Sequence, residues 1–148
     1  MGAEERELLW AACVLHDIGT AIDYDDHHRH SHYLILNAGL PGFSPREVAL
    51  IGQAVRYHRK GTPSLGPFAP LALEGDAERL DRMATLLRLA EDLERSRDQL
   101  VREAHVSLDD GRVRVGLVTE EDARVALWAA GREGELFERA FGRGLEVG

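Results

Sequence analysis

One cysteine, two methionines and two tryptophans are all that 148 residues contain of those types, and aromatic side chains make up 6% of the chain. A lone thiol, Cys13, closes no internal disulfide, which fits a reducing cytoplasm. No apolar run approaches the roughly 18 residues that a bilayer-spanning helix needs. The first ten residues, MGAEERELLW, carry acids where a secretory signal carries positive charge, so no export signal is expected. Positive charge is also short: 18 Lys and Arg face 26 Asp and Glu, a formal net charge of -8. Such a field repels nucleic acid and anionic membrane surfaces. A phosphorylated ligand would therefore need a local positive feature, either a metal ion or a basic cluster. Internal repeats and low-complexity tracts are absent too.

What is there is enough for one ordinary domain with a real core, since 44% of the residues are hydrophobic. Leu8, Leu9, Ala12, Cys13, Leu15 and His16 recur at helical spacing and predict a helix over 5–18, stopped by Gly19. An acidic loop follows at 20–27, then a shorter helix over about 28–38. The third helix has the clearest start: Ser44 as N-cap, Pro45 in the first turn and Glu47 three residues after the cap. Its apolar stripe is Val48, Ile51 and Val55, and His58 is the next position on it. Residues 61–76, punctuated by Pro63, Pro67 and Pro70, read as a long loop. A Leu- and Arg-rich helix is expected over 77–98. Beyond residue 100 the period changes to two: 104–108 and 113–117 are two strands around Asp109-Asp110-Gly111. Residues 123–129 read as a third strand, 132–141 as a helix, and 145–147 as a final strand. The expected architecture is mainly α, with a helical domain at 1–100 and a small α+β extension at 101–148 containing three or four short strands and one helix.

Histidine is where the chemistry gathers. Four of the seven lie within residues 27–32. His16 and Asp17 offer a nitrogen and an oxygen ligand to one divalent cation, or form a polar helix terminus with Asp17 solvated. The spacing of Leu9, Ala12 and His16 turns His16 inward, where an unpartnered polar group is costly. His58 falls on a buried stripe in the same way, as a ligand or as a hydrogen-bonded core histidine. His27, His28, His30 and His32 cannot all face one site, so most are expected on the surface. Arg56, Arg59 and Lys60 form a basic run that either holds phosphate oxygens or complements a helix C-terminus. Trp10 and Trp128 are expected to be packing residues.

In order along the chain, LHDIG, HRHSHYLI, LPGFSPRE, VRYHRK and LLRLAEDLERS resemble landmarks of the C-terminal HD-type domain of the exopolyphosphatase/guanosine pentaphosphatase (Ppx/GppA) family. They span roughly residues 8 to 96, and the strand-rich tail is similar to the small region that ends those proteins. The resemblance implies an HD-domain helical bundle and a metal-dependent phosphohydrolase-like chemistry on polyphosphate or a phosphorylated nucleotide. It implies His16, Asp17, His30, His58 and Glu91 as ligands to a divalent ion (Mn, Fe, Zn, Ni or Mg), with Asp17 also catalytic. Arg56, Arg59 and Lys60 would hold phosphate. Glu91 rather than Asp92 takes the late acidic position, both by the resemblance and by helical periodicity, and Asp92 reads as a partner of Arg88 four residues earlier. None of the fifteen residues before His16 is the upstream histidine of the wider HD superfamily, and the loops of the family's phosphatase domain are missing. A non-catalytic regulatory or ligand-binding module, partnering a separate phosphatase subunit, is the other reading. Apolar surface left by the missing domain would make a homo-oligomer an inexpensive arrangement.

Overall fold

The structure is a computed structural model that describes residues 1–95, 99–109, 111–120 and 122–148. Ser96 and the end of the helix expected over 77–98, and Asp110 of the expected turn, lie outside the described residues. By its internal contacts the chain divides into two compact units, Met1–Leu87 and Arg88–Gly148. It is mainly helical, with one small sheet near its C-terminus.

The first unit begins with α1 (Ala3–Leu15), a 3-10 turn (Ile18–Ala21), α2 (His27–Ala38) and α3 (Pro45–Arg56). A second 3-10 turn (Gly66–Leu71) sits inside the long loop, and α4 (Asp76–Leu93) begins in this unit and continues past Leu87. Its core joins Leu8 and Ala12 of α1, Ile35 of α2, Ile51, Ala54 and Val55 of α3, and Leu80, Met83 and Leu87 of α4. In α1, α3 and α4 these positions recur three and four apart, so one face of each of those helices is apolar. Burying a side chain of this size contributes roughly 1.5–3 kcal/mol.

The start of α3 is built as expected. The Ser44 hydroxyl accepts from the Glu47 amide, and the Glu47 carboxylate accepts from the Ser44 amide at 2.7 Å. Those two reciprocal bonds satisfy donors that a helix start otherwise leaves open. At the start of α4 stands Asp76, fully buried. Arg46 grips it with a two-pronged bond, Nε to Oδ2 at 2.7 Å and Nη2 to Oδ1 at 2.6 Å, and the Leu73 amide donates at 2.8 Å. Burial works to raise this carboxyl's pKa, but Arg46 and the Leu73 amide outweigh it and hold it below the usual range. The long loop is tied down by Gln53, whose Nε2 donates to the Ser64 carbonyl at 2.6 Å while its Oε1 accepts from His32 Nε2 at 2.8 Å.

In the second unit, β1 (Val101–Asp109) runs antiparallel to β2 (Arg112–Thr119), and β2 runs parallel to β3 (Gly144–Val147). Gly111 supplies φ +83° at the hairpin turn, a conformation open to glycine at little cost. Two helices, α5 (Arg124–Gly131) and α6 (Gly134–Phe141), lie between β2 and β3 in the chain. Leu89, Val113, Ala130 and Phe137 form this unit's core. The Phe137 and Phe141 rings stand 4.6 Å apart.

Two expectations need correction. Residues 123–129 are not a strand: Ala126, Ala129 and Ala130 are the buried positions, a helical spacing, and Asp122 accepts from the Arg124 amide just before α5. Trp10 and Trp128 are exposed, at 67% and 61%, rather than packed. Asp92 feels the charge of Arg88 four residues earlier, as expected, and pairs directly with Arg95 at 3.0 Å, while Arg88 also pairs with Glu133, Nε to Oε2 at 2.8 Å.

Replacing Ser44 by Ala removes one half of the capping box and leaves an amide of α3 without its partner. The expected loss is about 1 kcal/mol of unfolding free energy by urea titration, with an unchanged m-value.

Candidate metal centre

Helix α1 stops at Leu15, one residue before His16. Asp17 takes φ −103° and ψ 2°, in the sparsely populated bridge region, and the chain then tightens into the 3-10 turn. Gly19 makes that turn possible. A Cβ there would overlap the His27 carbonyl oxygen and the Ser31 amide nitrogen, so only glycine lets the turn press this closely on the first turn of α2. One hydroxyl clasps the two together. Ser31 Oγ donates to the His16 carbonyl at 2.6 Å and accepts from the Gly19 amide at 2.8 Å, and it is fully buried. Thr20 adds a bond from its hydroxyl to the Asp17 carbonyl at 2.7 Å.

Three imidazoles are then oriented by the same local device. His16 Nδ1 faces the Cys13 carbonyl oxygen at 2.6 Å, His27 Nδ1 faces that of Tyr24 at 2.9 Å, and His58 Nδ1 faces that of Val55 at 2.6 Å. Each is a bond to the carbonyl three residues back. A carbonyl oxygen only accepts, so each Nδ1 carries the hydrogen. A neutral ring in that tautomer presents a bare lone pair at Nε2. Metal-binding histidines are commonly fixed in this way, with the outer nitrogen donating to a backbone carbonyl.

The Nε2 atoms meet at Asp17. Asp17 Oδ1 lies 3.0 Å from His27 Nε2, 3.7 Å from His16 Nε2 and 4.0 Å from His58 Nε2. His27 Nε2 and His58 Nε2 are 3.3 Å apart. Ligand atoms of a tetrahedral ion at about 2.0–2.1 Å stand about 3.3–3.4 Å from one another. The spacing of Asp17, His27 and His58 brackets that value, and their ligand atoms all lie within 4.8 Å of one another. Two lone pairs facing each other at 3.3 Å repel unless a cation, a proton or a metal ion, lies between them. His27 and His58 are buried, at 2% and 1% exposure, whereas Asp17 is open enough to meet a ligand from solvent. The donor set of two imidazole nitrogens and one carboxylate oxygen suits Zn, Mn, Fe or Ni.

A second feature adjoins this cluster. His28 is buried, 6.3 Å ring to ring from both His27 and His58. Burial, with the positive charge of Lys60, pushes its pKa down to about 4, so the ring is neutral at physiological pH. His28, Arg29, Arg56, Tyr57 and Lys60 line a cleft of about 300 Å³. The Lys60 ammonium donates to Asp26 Oδ1 at 3.4 Å and holds that carboxyl below its usual range.

The structure brings together three of the residues singled out in the sequence: His16, Asp17 and His58. His30 is half-buried on α2 and belongs to no metal-competent group among the described residues. Glu91 is half-buried on α4, beyond Leu87 and so in the second unit. Arg56 and Lys60 line the cleft, while the Arg59 guanidinium stands over the Tyr24 ring, 5.9 Å from its centre. The expectation that most of the histidine-rich segment is surface needs correction, because His27 and His28 are buried. Sequence reasoning missed His27, although a signal existed. Ile35 is the apolar anchor of α2, and steps of four back from it reach Ser31 and His27.

The family described as Ppx/GppA phosphatase, domain III, matches residues 1–126. The chain belongs to that family. The match takes in all three segments that furnish the imidazoles and Asp17, so the cluster is a feature of the Ppx/GppA domain III portion of the chain. No helix among the described residues is long and apolar enough to cross a membrane.

Gly19→Ala is expected to push α2 away from the Asp17 turn, at a cost of about 1–3 kcal/mol or more. Thermal unfolding measures the loss. Because the displaced backbone carries His27, affinity for a divalent ion, read by isothermal titration, should fall as well.

Proposed function

We propose that this Ppx/GppA domain III chain binds a divalent metal ion through Asp17, His27 and His58, with His16 alongside, and hydrolyses a phosphorylated ligand, polyphosphate or a phosphorylated nucleotide. The observation that carries this reading is the convergence of three Nε2 atoms on the Asp17 carboxylate. Each ring is held by a backbone carbonyl, so the arrangement exists before any ion arrives. A bound divalent ion supplies Lewis acidity at neutral pH. Asp17, the most accessible member, orients a water molecule and takes its proton as general base. The imidazole of His16, whose Nε2 stands 3.7 Å from Asp17 Oδ1, lies beside that carboxylate as a second proton-handling group. Arg56 and Lys60 supply the positive charge that a phosphoryl group needs on a chain of net charge -8. His30 and Glu91, the remaining residues of the HD-type resemblance, are candidates for further ligands, and Arg59 for a further phosphate contact. The imidazole that the resemblance looks for upstream of His16 is, in this reading, provided downstream by His27.

Metal content of the purified protein, and its titration with Mn²⁺ and Zn²⁺, test the binding half. Stoichiometric metal is expected, and His27→Ala or His58→Ala should weaken it tenfold or more. His30→Ala should weaken it less than His27→Ala does; the reverse order would shift the centre toward the HRHS histidine. Turnover of tripolyphosphate and of nucleoside tri- and tetraphosphates should require the divalent ion and fall at least a hundredfold in Asp17→Asn. Metal-free protein that still binds these ligands without turnover would make the chain a non-catalytic module.

A further inference from the structure

We propose that the cleft lined by His28, Arg29, Arg56, Tyr57 and Lys60 is an oxyanion site for a phosphoryl group, separate from the imidazole–Asp17 cluster. The proposal extends the reading of a phosphorylated ligand given above by assigning a place to a phosphoryl group that is not the one undergoing reaction.

Three cationic side chains border a cleft of about 300 Å³, enough for one tetrahedral oxyanion with its water. The chain as a whole is acidic, so three cations around one cleft are a local reversal of its field. One carboxylate already marks where an anion sits. Asp26 Oδ1 accepts from Lys60 at 3.4 Å and lies 4.0 Å from His28 Nε2, and Asp26 Oδ2 is 3.6 Å from Arg29. The contacts of Asp26 with Lys60 and Arg29 are long and lie between exposed side chains, the class of ion pair that contributes little in water. The Asp26 backbone is held at φ +54°, an uncommon conformation for a residue other than glycine. Strained backbone of this kind clusters at ligand sites.

His28 supplies an independent indication. It is 4% exposed, and its Nδ1 has no hydrogen-bond partner among the described residues. Its Nε2 stands too far from Asp26 for a hydrogen bond. A buried ring nitrogen left without a partner is unusual in a folded protein. A phosphate oxygen in the cleft gives the ring a partner, and Arg56 and Lys60 neutralise its charge. Asp26 then competes with the ligand instead of helping it. That sign separates a ligand site from a merely structural ion-pair cluster.

The test uses the whole chain in chelator-treated, metal-free buffer, with inorganic phosphate, pyrophosphate and sulfate as probes, by isothermal titration and phosphorus NMR. Saturable binding of phosphate and pyrophosphate is expected at low salt. Arg56→Ala and Lys60→Ala should each weaken it about fivefold or more, and Asp26→Asn should strengthen it about threefold or more. Asp17→Asn should leave it unchanged, which separates this cleft from the metal reading: that reading can fail while phosphate still binds here. Arg114→Ala, in β2 of the second unit, controls for loss of positive charge in general. Sulfate binding as tightly as phosphate would support a general oxyanion site, and pyrophosphate binding more tightly than phosphate would support a chain of phosphoryl groups. Absence of saturable binding by any probe, or binding indifferent to Arg56→Ala, Lys60→Ala and Asp26→Asn, would overturn the proposal.

Discussion

A backbone carbonyl oxygen accepts hydrogen bonds and never donates them, and that asymmetry decides what the candidate centre can be. His16, His27 and His58 each press Nδ1 against the carbonyl three residues back. In each a hydrogen is fixed on the outer nitrogen, and the inner one is turned toward Asp17. The device is local, needing only a helix end or a tight turn before the histidine. What is not local is the meeting of the three rings. That depends on the end of α1, the start of α2 and the residues after α3 lying side by side, which is the task of the core formed by Leu8, Ile35, Ile51 and Val55.

The closeness of those segments has its own physical basis. Gly19 removes the one side-chain atom that would hold the turn off α2, and the Ser31 hydroxyl uses both its hydrogen and its lone pairs to bind the turn. A buried hydroxyl satisfied on both sides rigidifies what it joins, whereas half-satisfied it would be costly. Stability and site geometry therefore share residues. Asp17 in the bridge region and Asp26 in the left-handed region are the places where local backbone preference is overridden, and both border the features assigned to ligands.

The sequence makes visible those parts that rest on local rules. The capping box at Ser44 announces α3, and the apolar stripe through Ile51 and Val55 carries the eye to His58, which is buried as that spacing implies. Alternation around Asp109 and Gly111 discloses the hairpin. Residues 123–129 mislead because Val125, Leu127 and Ala129 also alternate, and only the burial of three alanines at helical spacing resolves the ambiguity in favour of α5. His27 is hidden for another reason. It opens α2 after a left-handed Asp26, a conformation that no preference of aspartate demands, so the phase of the histidine-rich segment is set by tertiary contact with the Asp17 turn. A resemblance to HRHS points at His30, while the fold turns His27 to Asp17.

Histidine tautomers in the metal-free protein can be read from long-range ¹H–¹⁵N spectra at neutral pH. If the carbonyls of Cys13, Tyr24 and Val55 set the rings, Nδ1 of His16, His27 and His58 will be protonated, and divalent ion will shift the Nε2 resonances while leaving that assignment intact. Hydrogen on Nε2 with bare Nδ1 in His27 and His58 would contradict it, since no lone pair would then point at Asp17.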